Sequence, residues 1–116
     1  MNNKGRIAEM KAANYLRGKG YYLIEHSYKS RFGEIDLIFE YKNFIVFVEV
    51  KARSENSIAQ PREFVDEVKQ RKIISTANLY MSQYKIKLQP RFDVIEVFLE
   101  NNRIKSIKHL ENAFSL

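Results

Sequence analysis

The chain has 116 residues, 20 of them Lys or Arg against 14 acids, for a net charge of +6. That length fits one domain, 1–116, with a modest core burying roughly two thirds of its unfolded surface. Apolar content of 45%, with seven tyrosines and eight phenylalanines, excludes a disordered chain, and the lack of cysteine excludes disulfides, thiol chemistry and Cys-rich zinc sites.

No apolar run approaches the roughly 18 residues of a membrane span, and the N-terminus lacks a signal-peptide core. A soluble, cytoplasmic protein without a membrane partner is expected. The basic balance favours a nucleic-acid partner, although it would also serve solubility.

Taken in order, Gly5 to about Lys19 predicts a helix, with Ile7, Ala8, Ala12, Tyr15 and Leu16 on one apolar stripe and Glu9 near its edge. Gly18 and Gly20 stop it. Tyr21–Tyr28 is aromatic-rich and partly alternating, a strand pattern. Lys29-Ser30-Arg31 leads into two apolar runs, to Tyr41 and from Phe44, separated by Lys42-Asn43. That is a hairpin signal. A symmetric two-residue turn sets Tyr41 opposite Phe44, Phe39 opposite Val46 and Asp36 opposite Glu49. Alternation then groups Glu34, Asp36, Ile38, Phe47, Glu49 and Lys51 on one face, and Ile35, Leu37, Phe39, Val46, Val48 and Val50 on the other. Both faces are apolar enough to need cover, so helices are expected on both.

Residues 52–59 read as a polar loop. Pro61 suits the first turn of a long helix, Arg62 to about Tyr84, with Gln60 near its cap and Phe64, Val65, Val68, Ile73, Ala77 and Tyr80 or Met81 buried. Glu67, Lys69, Arg71 and Lys72 mark solvated positions, and Glu67–Arg71 is an i,i+4 pair. Arg91–Leu99 predicts a strand, parallel to the third because a helix intervenes. Asn101-Asn102 turns the chain into an edge strand, Arg103–Lys108, followed by a short tail.

Acids seldom point into a face flanked by Ile and Phe unless compensated. Lys51 is one compensation, and a hard cation such as Mg²⁺ or Mn²⁺ is another. Such an ion, held by Asp36 and Glu49, would bind a scissile phosphate and acidify a water, with Lys51 orienting that water or neutralising the phosphate. Glu9 would join if the first helix packs on that face. Glu34 and Gln60 are accessory positions. The same residues also admit a plain cross-strand salt-bridge cluster. Around them, Lys29, Arg31, Arg53, Arg62, Lys69 and Lys72 form a basic frame suited to backbone phosphates, with Arg53 matching the strand parity of Glu49 and Lys51.

The blocks GEIDLI, VFVEVKAR and RFDVIEV resemble the small YraN-like family, UPF0102, of the restriction-endonuclease-like (PD-(D/E)XK) superfamily. The likeness runs from Gly5, Glu9 and Ala12 to Phe114. It implies an α/β fold with an αβββαβ core, a mixed central sheet flanked by helices, and a Mg²⁺-dependent phosphodiester hydrolase site. The superfamily pattern falls on Glu9, Asp36, Glu49 and Lys51. Similar folds include archaeal Holliday-junction resolvases, which extends the expectation to a homodimer on branched DNA. The chain departs from the family form at Ser27 and Lys29, where Asn and Arg are usual, and at Ile58-Ala59-Gln60-Pro61, where Phe-Gly-x-Pro is usual. A non-catalytic nucleic-acid-binding module and a protein-interaction domain are the rival readings.

Overall fold

The computed structural model describes residues 3–54 and 65–115. Within them the order is α1 (Asn3–Gly18), β1 (Tyr22–Lys29), β2 (Glu34–Tyr41), β3 (Phe44–Ser54), α2 (Glu67–Gln83), β4 (Gln89–Glu100) and β5 (Arg103–Phe114). The five strands form one sheet in the order β1-β2-β3-β4-β5. Only the β3–β4 pair is parallel. This is the expected α/β architecture: a mixed sheet with one helix on each face.

The apolar pattern explains which face each helix covers. Ala8, Ala12 and Leu16 of α1 are fully buried against Leu37, Phe39, Val46, Val48, Ile95 and Val97. Ile73, Ile74, Ala77 and Tyr80 of α2 are buried with Ile38, Ile45, Phe47, Phe92 and Val94. α1 ends where Gly20 takes φ 94°, with Tyr21 N donating to Leu16 O and Gly20 N to Arg17 O. This crossed pair of bonds satisfies the last carbonyls, and Gly adopts that backbone without a Cβ clash.

α2 differs from its sequence-based bounds. It begins at Glu67, and the Asp66 side chain accepts the Lys69 N–H at 2.8 Å as the N-cap. A carboxylate there satisfies an amide that has no intrahelical partner and complements the helix dipole. Val65 is buried but precedes the helix, and Val68, expected inside, is exposed. Gln60, Pro61, Arg62 and Phe64 lie outside the described residues. At the far end β5 runs on to Phe114, where the sequence suggested a tail after Lys108. Register shifts let it continue, bringing Leu110 and Phe114 against the α2 side.

The hairpin register follows the symmetric turn: Tyr41 pairs with Phe44, Phe39 with Val46 and Leu37 with Val48. Lys42 takes φ 55° in the turn. Beyond Leu37 the alternation breaks. Leu37 belongs to the α1-side core and Ile35 to the α2-side core, although two residues apart in a regular strand share a face. The neighbouring strand breaks at the same level, where Ser27 takes φ 52° between the pairs His26–Leu37 and Tyr28–Ile35. The expected placement of Ile35 beside Leu37 is therefore corrected. The local twist turns Tyr28 and Ile35 toward α2, where Tyr28 packs edge-on against Tyr80 at 4.9 Å.

Candidate acidic–lysine site

The break in alternation occurs at Asp36. Its Oδ2 accepts the backbone N–H of Val50 at 2.8 Å, a bond from side chain to the adjacent strand just past the last β2–β3 residue pair. This fixes the carboxyl beside β3 near Glu49, which is 5% exposed. Lys51 Nζ lies 3.6 Å from Glu49 Oε2. Lys69 Nζ, arriving from the first turn of α2, lies 2.5 Å from the same oxygen.

Electrostatics mark these groups as a unit. Burial, then the Glu49 charge beside it, push the Asp36 carboxyl up to about 8, against the opposing Val50 hydrogen bond. Burial pulls Lys69 down, but contact with Glu49 and the nearby Asp36 charge leave it above its ordinary value. Glu9 is also raised, by burial and then by the charges of Glu34 and Glu49, with His26 and Arg6 opposing. Glu9 thus feels the cluster even though α1 packs on the other sheet face. The condition set for Glu9, that α1 pack on the face of Glu49, is not met, because α1 belongs to the opposite core.

The cluster opens onto a cleft of about 370 Å³ lined by Gly33, Glu34, Asp36, Glu49, Asp66, Lys69 and Lys72, among others. One wall is the Ser30–Gly33 turn. Ser30 N donates to Gly33 O at 2.8 Å, and Ser30 Oγ lies 3.0 Å from Thr76 Oγ1 on α2. A Cβ on Gly33 would stand 3.3 Å from Lys72 Cβ. The turn therefore approaches α2 so closely that a side chain here would need Lys72 to give by a few tenths of an ångström, and it seats α2 so that Lys69 reaches β3.

The basic frame is only partly at this mouth. Lys72 is exposed on the cleft. Arg31 is exposed over the Phe32 ring at 4.9 Å. Lys29 makes an exposed 3.7 Å pair with Glu34. Arg53 is different: its side chain is 15% exposed, and its Nε contacts the buried Glu96 at 3.3 Å. Glu96 is brought there by the parallel register, which sets Lys51 beside it. Lys69, expected to be a solvated surface cation, is instead the closest partner of Glu49. Its one local sign is a cation in a helix's first turn, the end the dipole disfavours. Arg62 and Gln60 lie outside the described residues.

The donor set fits a divalent ion in one specific sense. Two carboxyls share a low-dielectric site, and one holds its proton into the neutral range, so the pair is short of positive charge. Among the described residues, no three His, Asp or Glu side chains converge into a preformed metal cluster. Asp36 and Glu49 are the carboxyls that come together at the cleft, and the Glu9 carboxyl is raised in part by the charges of Glu34 and Glu49.

A second polar cluster has a structural role. Fully buried Asp93 receives Arg91 through two bonds of 3.0 and 2.7 Å, His109 Nε2 at 2.7 Å and the Asn112 N–H at 2.9 Å. Burial raises its carboxyl, but the His109, Arg91 and Asn112 bonds hold it below its usual value. Arg91 also donates to Tyr21 Oη at 2.6 Å, and Tyr21 stacks on Tyr41 at 3.9 Å.

Fold and site together define an α/β protein on a mixed five-stranded sheet, with two carboxyls and two lysines gathered where the hairpin strands part. Comparison with known proteins places it further: the chain belongs to the uncharacterised protein family UPF0102, whose profile matches residues 8–97. It is similar to a UPF0102 protein of Caldanaerobacter subterraneus, 47% identical over 113 residues, covering 95% of this chain and 93% of the relative. A UPF0102 protein of Persephonella marina is 45% identical, covering 97% and 94%. One from Natranaerobius thermophilus is also 45% identical, covering 98% of this chain and all of the relative.

Proposed function

We propose that this chain is a metal-dependent nuclease of the restriction-endonuclease-like superfamily, hydrolysing phosphodiester bonds in DNA. The observation that carries the reading is the pair of half-buried Asp36 and buried Glu49 at the cleft. The two carboxyls are held together by the Val50 amide and by lysines, and the pair lacks enough positive charge to ionise fully. Asp36 and Glu49 would hold Mg²⁺ or Mn²⁺, with Glu9 strengthening the negative field.

A bound divalent ion supplies charge neutralisation at the scissile phosphate and acidifies a water molecule. The chain's own groups do the rest. Val50 N–H orients the Asp36 carboxyl. Lys51, 3.6 Å from Glu49, is placed to stabilise charge developing on phosphate oxygens. Lys72 and Arg31, exposed beside the cleft, suit contacts to the flanking backbone, which position a duplex without reading its sequence.

The test is cleavage of branched, single-stranded and duplex DNA with Mg²⁺ or Mn²⁺, comparing wild type with Asp36→Ala. The expected loss in the variant is at least about 100-fold. A wild type without activity on any of these, or a variant as active as wild type, overturns the reading.

The two lysines on Glu49 favour one alternative, a non-catalytic nucleic-acid-binding module. Salt-sensitive DNA binding without metal uptake or turnover selects it.

A further inference from the structure

The acidic site already contains a cation of its own. Lys69 Nζ is 2.5 Å from Glu49 Oε2, nearer than the 3.6 Å of Lys51, the lysine that the strand pattern singled out. Two further features show that this contact is built rather than incidental. Lys69 occupies the first turn of α2, where a positive charge works against the helix dipole, so its placement there is offset by the acid it meets. Its backbone is also fixed, because the Asp66 cap takes its N–H at 2.8 Å and the Ser30–Gly33 turn seats α2 through Thr76.

The geometry points to Lys69 as a displaceable cation: it occupies the Glu49 carboxylate that a divalent ion needs, so ion entry turns it out toward the substrate phosphate. The inference rests on the hydrolase reading for its final step, the phosphate contact. It does not need that reading for the competition between ammonium and metal. A divalent ion held by Glu49 would stand close to the Lys69 ammonium, and the two positive charges would repel. Lys69 is therefore a positioning residue rather than a ligand. Its side chain is 45% exposed, and the cleft offers room for it to swing while α2 stays in place. Lys51, by contrast, is on the same strand as Glu49 and is the less exposed of the two, at 28%. In the resting protein Lys69 pairs with Glu49. In the loaded protein it adds one positive charge at the mouth, beside Lys72.

The experiment is calorimetric titration of Mn²⁺ into wild type, Lys69→Met, Lys69→Gln and Lys69→Arg, with thermal melts to confirm that each is folded. Removal of the competing ammonium is expected to tighten Mn²⁺ binding about tenfold in Lys69→Met and Lys69→Gln, equivalent to roughly 1.4 kcal/mol. Lys69→Arg, which keeps the charge, is expected to stay near wild type. In ¹³C-labelled lysine spectra, the Lys69 ε-methylene signal is expected to shift on titration with Mg²⁺. Equal or weaker Mn²⁺ binding by both neutral variants, with folding intact, overturns the inference even if the wild type cleaves DNA. If only the neutral variants bind the ion, Lys69 blocks the site instead of yielding it, and the displacement falls together with the hydrolase reading. If no form binds Mn²⁺, both fall.

Discussion

Asp36 Oδ2 accepts the N–H of Val50 at 2.8 Å, so a side chain of β2 bonds β3 just beyond the last pair of their ladder. The bond holds a carboxyl beside the buried Glu49 and explains how one hairpin end can gather acids inside an apolar frame. It also leaves Asp36 strongly raised, because one hydrogen bond does not offset burial beside another acid.

The first prediction is a pH dependence of stability. The Asp36 carboxyl is raised from 3.8 to about 8, so the folded state binds its proton more tightly than the unfolded chain. Its contribution is fully present below about pH 4 and is lost as pH rises through about 8. Each pH unit of separation corresponds to about 1.4 kcal/mol before relaxation and water entry return part of it. Asp36→Asn keeps an acceptor for Val50 and cannot ionise. Thermal melts between pH 5 and 9 in chelator should show the variant gaining on wild type as pH rises, by at least about 1 kcal/mol at pH 9. Parallel curves would show that Asp36 is ionised throughout.

The second separates structural from substrate-facing cations. Arg53→Met removes a partner of buried Glu96 and should cost about 2–3 kcal/mol in urea unfolding. Lys72→Met, at an exposed position on the cleft, should change stability by less than about 0.5 kcal/mol. It should instead lower the slope of log affinity for DNA against log salt by about 0.9. The opposite pattern would place the phosphate track along β3 and away from α2.

The third concerns the polar network under β5. Asp93→Ala leaves Arg91, His109 and the Asn112 amide without their shared acceptor, so a loss of about 3–5 kcal/mol is expected. Asp93→Asn keeps the acceptor but loses the charge, and should fall between. Denaturant titration of the three proteins measures this. A loss below about 1 kcal/mol for the alanine variant would mean that water replaces the carboxylate.

Much of the fold is legible in local pattern. The spacing of Ala8, Ala12 and Leu16 marks a helix with one apolar face, and the two-residue break at Lys42-Asn43 sets the hairpin register through Leu37–Val48. A helix between two apolar strands calls for a parallel pair, and β3 and β4 form one. These features depend on short periodicities and on turn length, which a linear sequence records. The same arithmetic set Asp36 opposite Glu49, but the ladder ends at Leu37–Val48, and the Val50 N–H bond fixes the Asp36 carboxyl beyond it.

Tertiary structure alone decided the rest. Ile35 leaves the face of Leu37 because Ser27, on the neighbouring strand, takes a left-handed backbone conformation, which no alternation rule anticipates. α1 covers the face away from Lys69, with its small alanines packed against Phe39 and Val46, and the Glu34 and Glu49 charges still raise the Glu9 carboxyl. Arg53 meets Glu96 because the parallel register sets β4 beside β3. Lys69 joins Glu49 from twenty residues away, because the Asp66 cap and the close Gly33 approach fix how α2 lies on the sheet. Strand periodicity put Glu49 and Lys51 on one face of β3, because side chains two residues apart point the same way. Packing between elements, which depends on shape and long-range burial, determined which cation comes closest to Glu49.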